Sequence, residues 1–143
     1  DRIIAETGIV PVVNQIEVHP GFNNTAARDA SARHGIAVEA FSPLGQGKAL
    51  EDEVISGIAA RTGKTCAQVV LRWHIQQGRI VFPKTMHPER MQENLDLFDF
   101  DLPPAEVAAI DALDRGEAGR IGPNPDTFNW IPSDLTPTPK ERP

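Results

Sequence analysis

The chain carries a single cysteine, Cys66, among 143 residues. Without a second thiol it can close no internal disulfide, so its stability must come from packing, and its usage fits a reducing, cytoplasmic setting. Cys66 lies inside the run TCAQVVLRW, where an apolar helix face makes it a packing residue rather than a reactive thiol. Histidines are few: His19, His34, His74 and His87 are scattered and keep no ligand spacing with Cys66, which argues against a zinc or other metal site. No apolar run approaches the roughly 18 residues of a membrane-spanning helix, and no leader segment is visible. Positive charge is in deficit, with 14 Lys and Arg against 20 Asp and Glu and a net charge of −6. That balance argues against a general nucleic-acid surface, which demands clustered Lys and Arg. Gly45 and Gly47 do not form a GxGxxG turn after a first strand, so a dinucleotide site of that type is disfavoured. The acidic residues at 98–101 alternate with apolar ones as a strand-like connector and give no cleft for a paired-carboxylate hydrolase.

What is present is an alternation of strand and helix. Residues 12–18 form a β-rich run after Pro11, and Asn23, Asn24 and Thr25 supply cap residues for a helix over AARDASARH that Gly35 stops. Residues 36–41 read as a second strand. Leu50, Val54, Ile55 and Ile58 recur at helical spacing over residues 50–61, ending at Gly63; Thr65 then caps a helix running to Gln77, closed by Gly78. A third strand over 80–82 precedes a helix that opens at Pro88, and Val107, Ile110 and Leu113 mark one face of a last helix over 104–113. Such alternation implies parallel strands with crossover helices, and in a closed barrel the loops after the strands, at 18–24, 42–48 and 84–88, share one face. Beyond Gly116 the sequence is rich in Pro, Gly and Thr and loses its period, so 1–115 reads as the folded unit and 116–143 as an extended tail, disordered after Leu135.

The stretch Ile80 to Asn94 carries the strongest chemical signal. An apolar triplet reads as a buried strand interior, Pro83 ends its ladder, and Pro88 suits a helix start because its missing N–H would have no partner there. Lys84 and Arg90 flank that start. A point charge and a planar fork beside exposed helix N–H groups suit a nucleotide phosphate.

FPKTMHPERMQENL resembles the segment after the last barrel strand of the aldo-keto reductases, NADPH-dependent (β/α)8 barrels. VNQIEVHP resembles that family's sixth strand, and EAFSPLGQG its seventh strand and following loop, in the family's order. PLGQGKAL, VLRWHIQQG and RIGPNPDTFN look most like bacterial enzymes of the 2,5-diketo-D-gluconate reductase type. The resemblance implies an α/β fold, the C-terminal portion of a (β/α)8 TIM barrel with about three strands and their helices. A complete barrel takes about 250 residues, and this chain starts at Asp1 with what reads as a helix tail. The expectation is a fragment whose partner is the missing N-terminal half of the barrel.

By the same resemblance, Gln15 would bond the nicotinamide carboxamide, and Phe41, where the family usually has tyrosine or tryptophan, would stack on the nicotinamide ring. Ser42, Leu44 and Gln46 would lie on the loop over the pyrophosphate, with Gly45 and Gly47 letting the backbone approach. Lys84, Thr85 and Arg90 match positions holding the adenosine 2′-phosphate, His87 adds a polar neighbour, and Glu93 and Asn94 match positions at the adenine edge. The catalytic aspartate, tyrosine, lysine and histidine of the family belong to earlier strands, so no catalytic residue is assigned. Glu17 points into the barrel without an assigned role. A C-terminal segment crosses the barrel mouth in the family, which would bring Phe128 and Trp130 near a substrate; laid over the outer helices, they would be anchors. The function implied is reduction of an aldehyde or ketone, such as a keto-sugar acid, to an alcohol, with the fragment alone inactive. The alternative is a non-catalytic half-barrel that binds a nucleotide or a protein.

Overall fold

A computed structural model describes residues 1–129; Trp130 and the segment beyond Leu135 lie outside the described residues. Three strands, β1 (Val13–Glu17), β2 (Ala37–Phe41) and β3 (Ile80–Val81), form one parallel sheet in sequence order. The register aligns Gln15 with Glu39 and Glu39 with Ile80. Because side chains alternate along a strand, Ile16, Val38, Ala40 and Val81 face the helices and join the core, while Gln15, Glu17, Glu39, Phe41 and Ile80 face the opposite side. On that second side Phe41 and Ile80 remain exposed. It is the inner face of a barrel wall.

Helices cover the other face. α1 (Arg2–Thr7) precedes β1, α2 (Thr25–Arg33) links β1 to β2, and α3 (Glu53–Thr62) and α4 (Cys66–Gln76) link β2 to β3. α4 supplies the centre of the core, with Val69, Val70, Leu71, Trp73 and His74 buried. It starts at the expected capping box, in which Thr65 and Gln68 satisfy each other's backbone N–H groups. Cys66 is partly buried against this cluster. α5 (Pro88–Leu95) opens on Pro88 as expected, and α6 (Pro104–Asp111) buries Ile110, with Val107 and Leu113 packed beside it.

Several sequence expectations differ from the structure. The third strand is two residues long, and Phe82 is 69% exposed; among the described residues β3 pairs only with β2, and no second strand seats Phe82 as a strand interior. Residues 50–61 are not one helix: Gly45–Glu51 forms a 3₁₀ segment kinked at Gln46 and Gly47, and the Asp52 carboxylate accepts from the Val54 N–H at 2.8 Å to start α3 afresh. Asn24 stands at the N-cap of α2 as expected, but its side chain makes no cap hydrogen bond and instead donates to the Glu17 carbonyl at 3.1 Å. Residues 98–101 form no strand.

The start of the expected tail is docked. The Arg115 N–H donates to Gly21 O at 3.1 Å, the Asp114 carboxylate accepts from the Asn23 N–H at 3.0 Å, and the Arg120 guanidinium lies 4.4 Å from the Phe22 ring centre. A short 3₁₀ turn, Gly116–Gly119, brings Gly119 so close to the loop after β1 that an added Cβ would lie 1.7 Å from Gly21 O. Gly119→Ala must therefore push backbone from backbone, and overpacking of this kind costs about 1–3 kcal/mol or more. A lowered denaturant midpoint is expected; an unchanged one would show that residues 116–122 are not seated against the β1 loop.

Candidate functional site

The loops that follow β1, β2 and β3 lie on one side of the sheet because the strands are parallel. A cleft of about 410 Å³ opens there, lined by Leu44 and Leu50 from the loop after β2, Thr65 and Cys66 at the start of α4, and Lys84, Thr85, Arg90, Glu93 and Asn94 after β3. Six residues singled out from the sequence thus meet in one place: Leu44, Lys84, Thr85, Arg90, Glu93 and Asn94. Among the described residues neither Lys84 nor Arg90 forms an ion pair, so two exposed cations face the cleft uncommitted. The Thr85 hydroxyl accepts the His87 N–H at 3.1 Å and keeps its own proton for a ligand. The first-turn N–H groups of Arg90 and Met91 turn back to the His87 carbonyl, both at 3.1 Å. Two of the expected helix donors are thus spent inside the chain, and the Lys84, Thr85 and Arg90 side chains are the polar groups that line the cleft there. Glu93 is also partly committed, since Thr65 Oγ1 donates to its carboxylate and Gln68 Nε2 to its carbonyl at 3.2 Å. His87 lies near Glu89, with Nδ1 and Oε1 3.4 Å apart.

The second group lies on the inner face. Gln15 is exposed beside Glu39, to whose carboxylate its Nε2 donates, leaving the Gln15 oxygen to accept. Phe41 stands at the C-terminal end of β2, 39% exposed. Ser42 follows with a positive φ of 49°, and Gln46 with 54°, so the loop from 42 to 47 turns tightly: the Gly45 N–H donates to Ser42 O at 2.8 Å and the Gly47 N–H to Leu44 O at 3.0 Å. Gly45 also lies against the His19 ring, 3.3 Å from where its Cβ would be. Its bareness serves the protein's own packing, whereas nothing stands within 4 Å of a Cβ on Gly47. The geometry offers a flat apolar face at Phe41, a tight loop, then a cleft with two cations.

The family model described as "Aldo/keto reductase family" matches residues 2–115. The chain belongs to the aldo/keto reductases. It is 55% identical over 128 residues to an aldo-keto reductase of Mycolicibacterium smegmatis, covering 90% of this chain and 46% of that protein. It is 44% identical to the methylglyoxal reductase DkgA of Escherichia coli K12, covering 89% and 46%. Among solved structures, a variant of Gox0644 in complex with NADPH aligns with a TM-score of 0.87 at 48% identity, over 90% of this chain and 47% of that one. This aldo/keto reductase chain therefore spans about half the length of the curated relatives it matches, and its three parallel strands and helices are a portion of the (β/α)8 barrel. No helix among the described residues is long and apolar enough to cross a membrane.

Two arrangements in this aldo/keto reductase chain leave little trace in its sequence. Glu17, on the inner face, is 2% exposed. Its carboxylate accepts from the Ile121 N–H at 2.6 Å, the Gly122 N–H at 2.8 Å and His19 Nε2 at 3.1 Å. Burial is the main cause that holds His19 below its ordinary value, against the pull of Glu17. The second arrangement is behind the cofactor-loop candidate residues. His74 Nε2 donates to Pro43 O at 3.1 Å, and its Nδ1 accepts from Arg79 Nε at 2.9 Å. Those two bonds fix a neutral Nε2–H imidazole, and burial, then the Arg79 charge, pushes its pKa to about 3. Arg79 is buried over the Trp73 ring at 4.1 Å and is pulled to about 9 by loss of solvent. A long-range partner such as Pro43 for His74 leaves no periodic signal. For Glu17, a lone carboxylate on an inward strand position was the only hint.

Proposed function

We propose that this chain is the NADPH-holding part of an aldo/keto reductase that reduces an aldehyde or ketone, a keto-sugar acid included, to an alcohol. The observation that carries the proposal is the cleft where Lys84, Thr85 and Arg90 converge, with both cations unpaired among the described residues. That donor set fits a dianionic phosphate: Arg90 offers a fork, Lys84 a point charge and Thr85 a hydroxyl. Leu44 and Asn94 line the same cleft, where Asn94 would meet an adenine edge and Arg90 could also stack on the base. Ser42, Leu44 and Gln46 would lie along the pyrophosphate, and Phe41 and the free oxygen of Gln15 would orient a nicotinamide. When bound, the cofactor supplies a hydride. The likeness to an NADPH-bound structure supports this choice of cofactor, and a 38% identity to a solved structure described as a putative 2,5-diketo-D-gluconic acid reductase B supports the keto-sugar acid.

The proton must come from elsewhere in a whole barrel. This chain contains no tyrosine, the residue that supplies the acid in the resembled family, so the fragment alone is expected to show no turnover with NADPH and a simple aldehyde. The same absence favours, as the second reading, a non-catalytic half-barrel that binds nucleotide. Cofactor discrimination tests the site in either case. Arg90→Ala should weaken NADPH by about one to three kcal/mol, the scale of charge-assisted hydrogen bonds, and weaken NADH far less, through the lost base stacking alone, as read by titration calorimetry. Equal weakening of both cofactors would contradict a 2′-phosphate role.

A further inference from the structure

The segment from Arg115 to Gly122 forms a strap over the C-terminal end of β1, and its last two residues reach the site itself. Ile121 and Gly122 present consecutive N–H groups to one buried carboxylate, Glu17, at 2.6 and 2.8 Å. A buried carboxylate is costly unless its oxygens are hydrogen-bonded, and here three donors meet it, His19 being the third. The strap therefore satisfies the oxygens of Glu17, and Glu17 fixes the height of the strap. Gly122 has no spare room: an added Cβ would lie 2.8 Å from Glu17 Oε2 and 3.5 and 3.6 Å from two ring carbons of Phe41. The backbone at 122 is thus held between the carboxylate and the aromatic ring.

We propose that Glu17 is a positioning residue that acts through Gly122 on Phe41, setting where the strap meets the ring and so how a flat cofactor ring seats on it. This rests on the nicotinamide reading of Phe41 given above. Glu17 touches no ligand in this role; it shapes the edge of the platform. Replacing Glu17 by Gln keeps the size and one acceptor oxygen but removes the charge and the second acceptor. The strap should loosen while the core stays folded.

The chain itself serves for the test. Amide exchange in Glu17→Gln should accelerate roughly tenfold or more at Ile121 and Gly122, the loss expected for hydrogen bonds to a charged acceptor, with α4 amides unchanged. NADPH and NADH should then weaken by one common factor, because the strap lies at the nicotinamide end; Arg90→Ala instead changes their ratio. Gly122→Ala should reproduce both effects in a Glu17 background and do so far less beside Glu17→Ala, where the oxygen it strikes is gone. Unchanged exchange in Glu17→Gln, or faster exchange with unchanged affinity for both cofactors, overturns the proposal. If the unmodified chain binds neither cofactor, the nicotinamide reading fails and the proposal fails with it. Exchange separates the cases, since it reports the Glu17 contact without any cofactor.

Discussion

Replacing Trp73 by Ala should remove most of the stability of this chain. The indole is fully buried at the centre of α4, its Nε1–H donates to Asp111 Oδ1 of α6 at 2.9 Å, and its face carries the Arg79 guanidinium at 4.1 Å. Truncating a buried Trp costs about 3–5 kcal/mol through lost transfer energy and the cavity left behind. Here the loss is compounded, because Arg79 has no salt-bridge partner among the described residues and would lose the aromatic face that offsets its burial. Whole domains are stable by only about 5–15 kcal/mol, and a sheet with an open inner face starts low on that scale. Urea unfolding should place Trp73→Ala at or beyond its midpoint in plain buffer. Trp73→Phe, which keeps the ring and drops the N–H, should lose only about 1–2 kcal/mol, since Asp111 Oδ1 still accepts from Gln77 Nε2 at 3.2 Å. A loss below about 1 kcal/mol for Trp73→Ala would show that α4 is not the hub of the core.

That hub was legible in outline. Helical spacing and the Thr65 cap located α4 to within a residue of its observed end, and Pro and Gly punctuation located the three strands. The failures share a cause. Hydrophobicity puts Phe82 in a buried strand, yet burial depends on a neighbour, and among the described residues β3 has β2 alone beside it. Leu50 fits a helical spacing and so starts the expected helix too early, while the decisive feature is Asp52, whose carboxylate caps α3 through the Val54 N–H. Asn24 takes the N-cap position, but in a left-handed conformation, and its amide is turned to the Glu17 carbonyl rather than to the helix. Local propensity named the candidates; tertiary contacts chose among them.

The candidate site was legible where it is carried by one contiguous stretch. Lys84 to Asn94 comes as a loop and a helix start, and the structure gathers it, with Leu44, around one cleft. What lay hidden is the service each residue already performs inside the protein: Glu93 bonds the Thr65 cap, Gln15 bonds Glu39, and Gly45 makes room for His19. Neither could the docking of 116–122 be read from a Pro- and Gly-rich composition, because its anchors, Gly21 and Glu17, lie about a hundred residues upstream. Chain composition reports on periodic packing, not on single long-range hydrogen bonds.

Acid should destabilise the chain through His74. Folded, its imidazole has a pKa of about 3 against an ordinary 6.5, chiefly because burial disfavours the charge and next because Arg79 lies beside it. Both hydrogen bonds already suit the neutral ring: Nε2–H donates to Pro43 O, and Nδ1 must be bare to accept from Arg79 Nε. A folded pKa below the unfolded one means that the unfolded chain binds the extra proton first. The contribution of His74 is therefore whole above pH 6.5 and declines as the pH falls from 6.5 toward 3. In that window one proton separates the two states, a slope of about 1.4 kcal/mol per pH unit, so roughly 2–3 kcal/mol is lost between pH 6.5 and 4.5 from this residue. Burial shifts His19 the same way, steepening the decline. His74→Gln should lower stability at neutral pH but flatten the curve, and the two curves should converge as acid is added. Parallel curves would place the acid sensitivity elsewhere. Convergence would also bear on the cofactor loop, because the bond that breaks when His74 gains its proton is the one from Arg79, and the same ring holds Pro43 inside the first turn of the 42–47 loop.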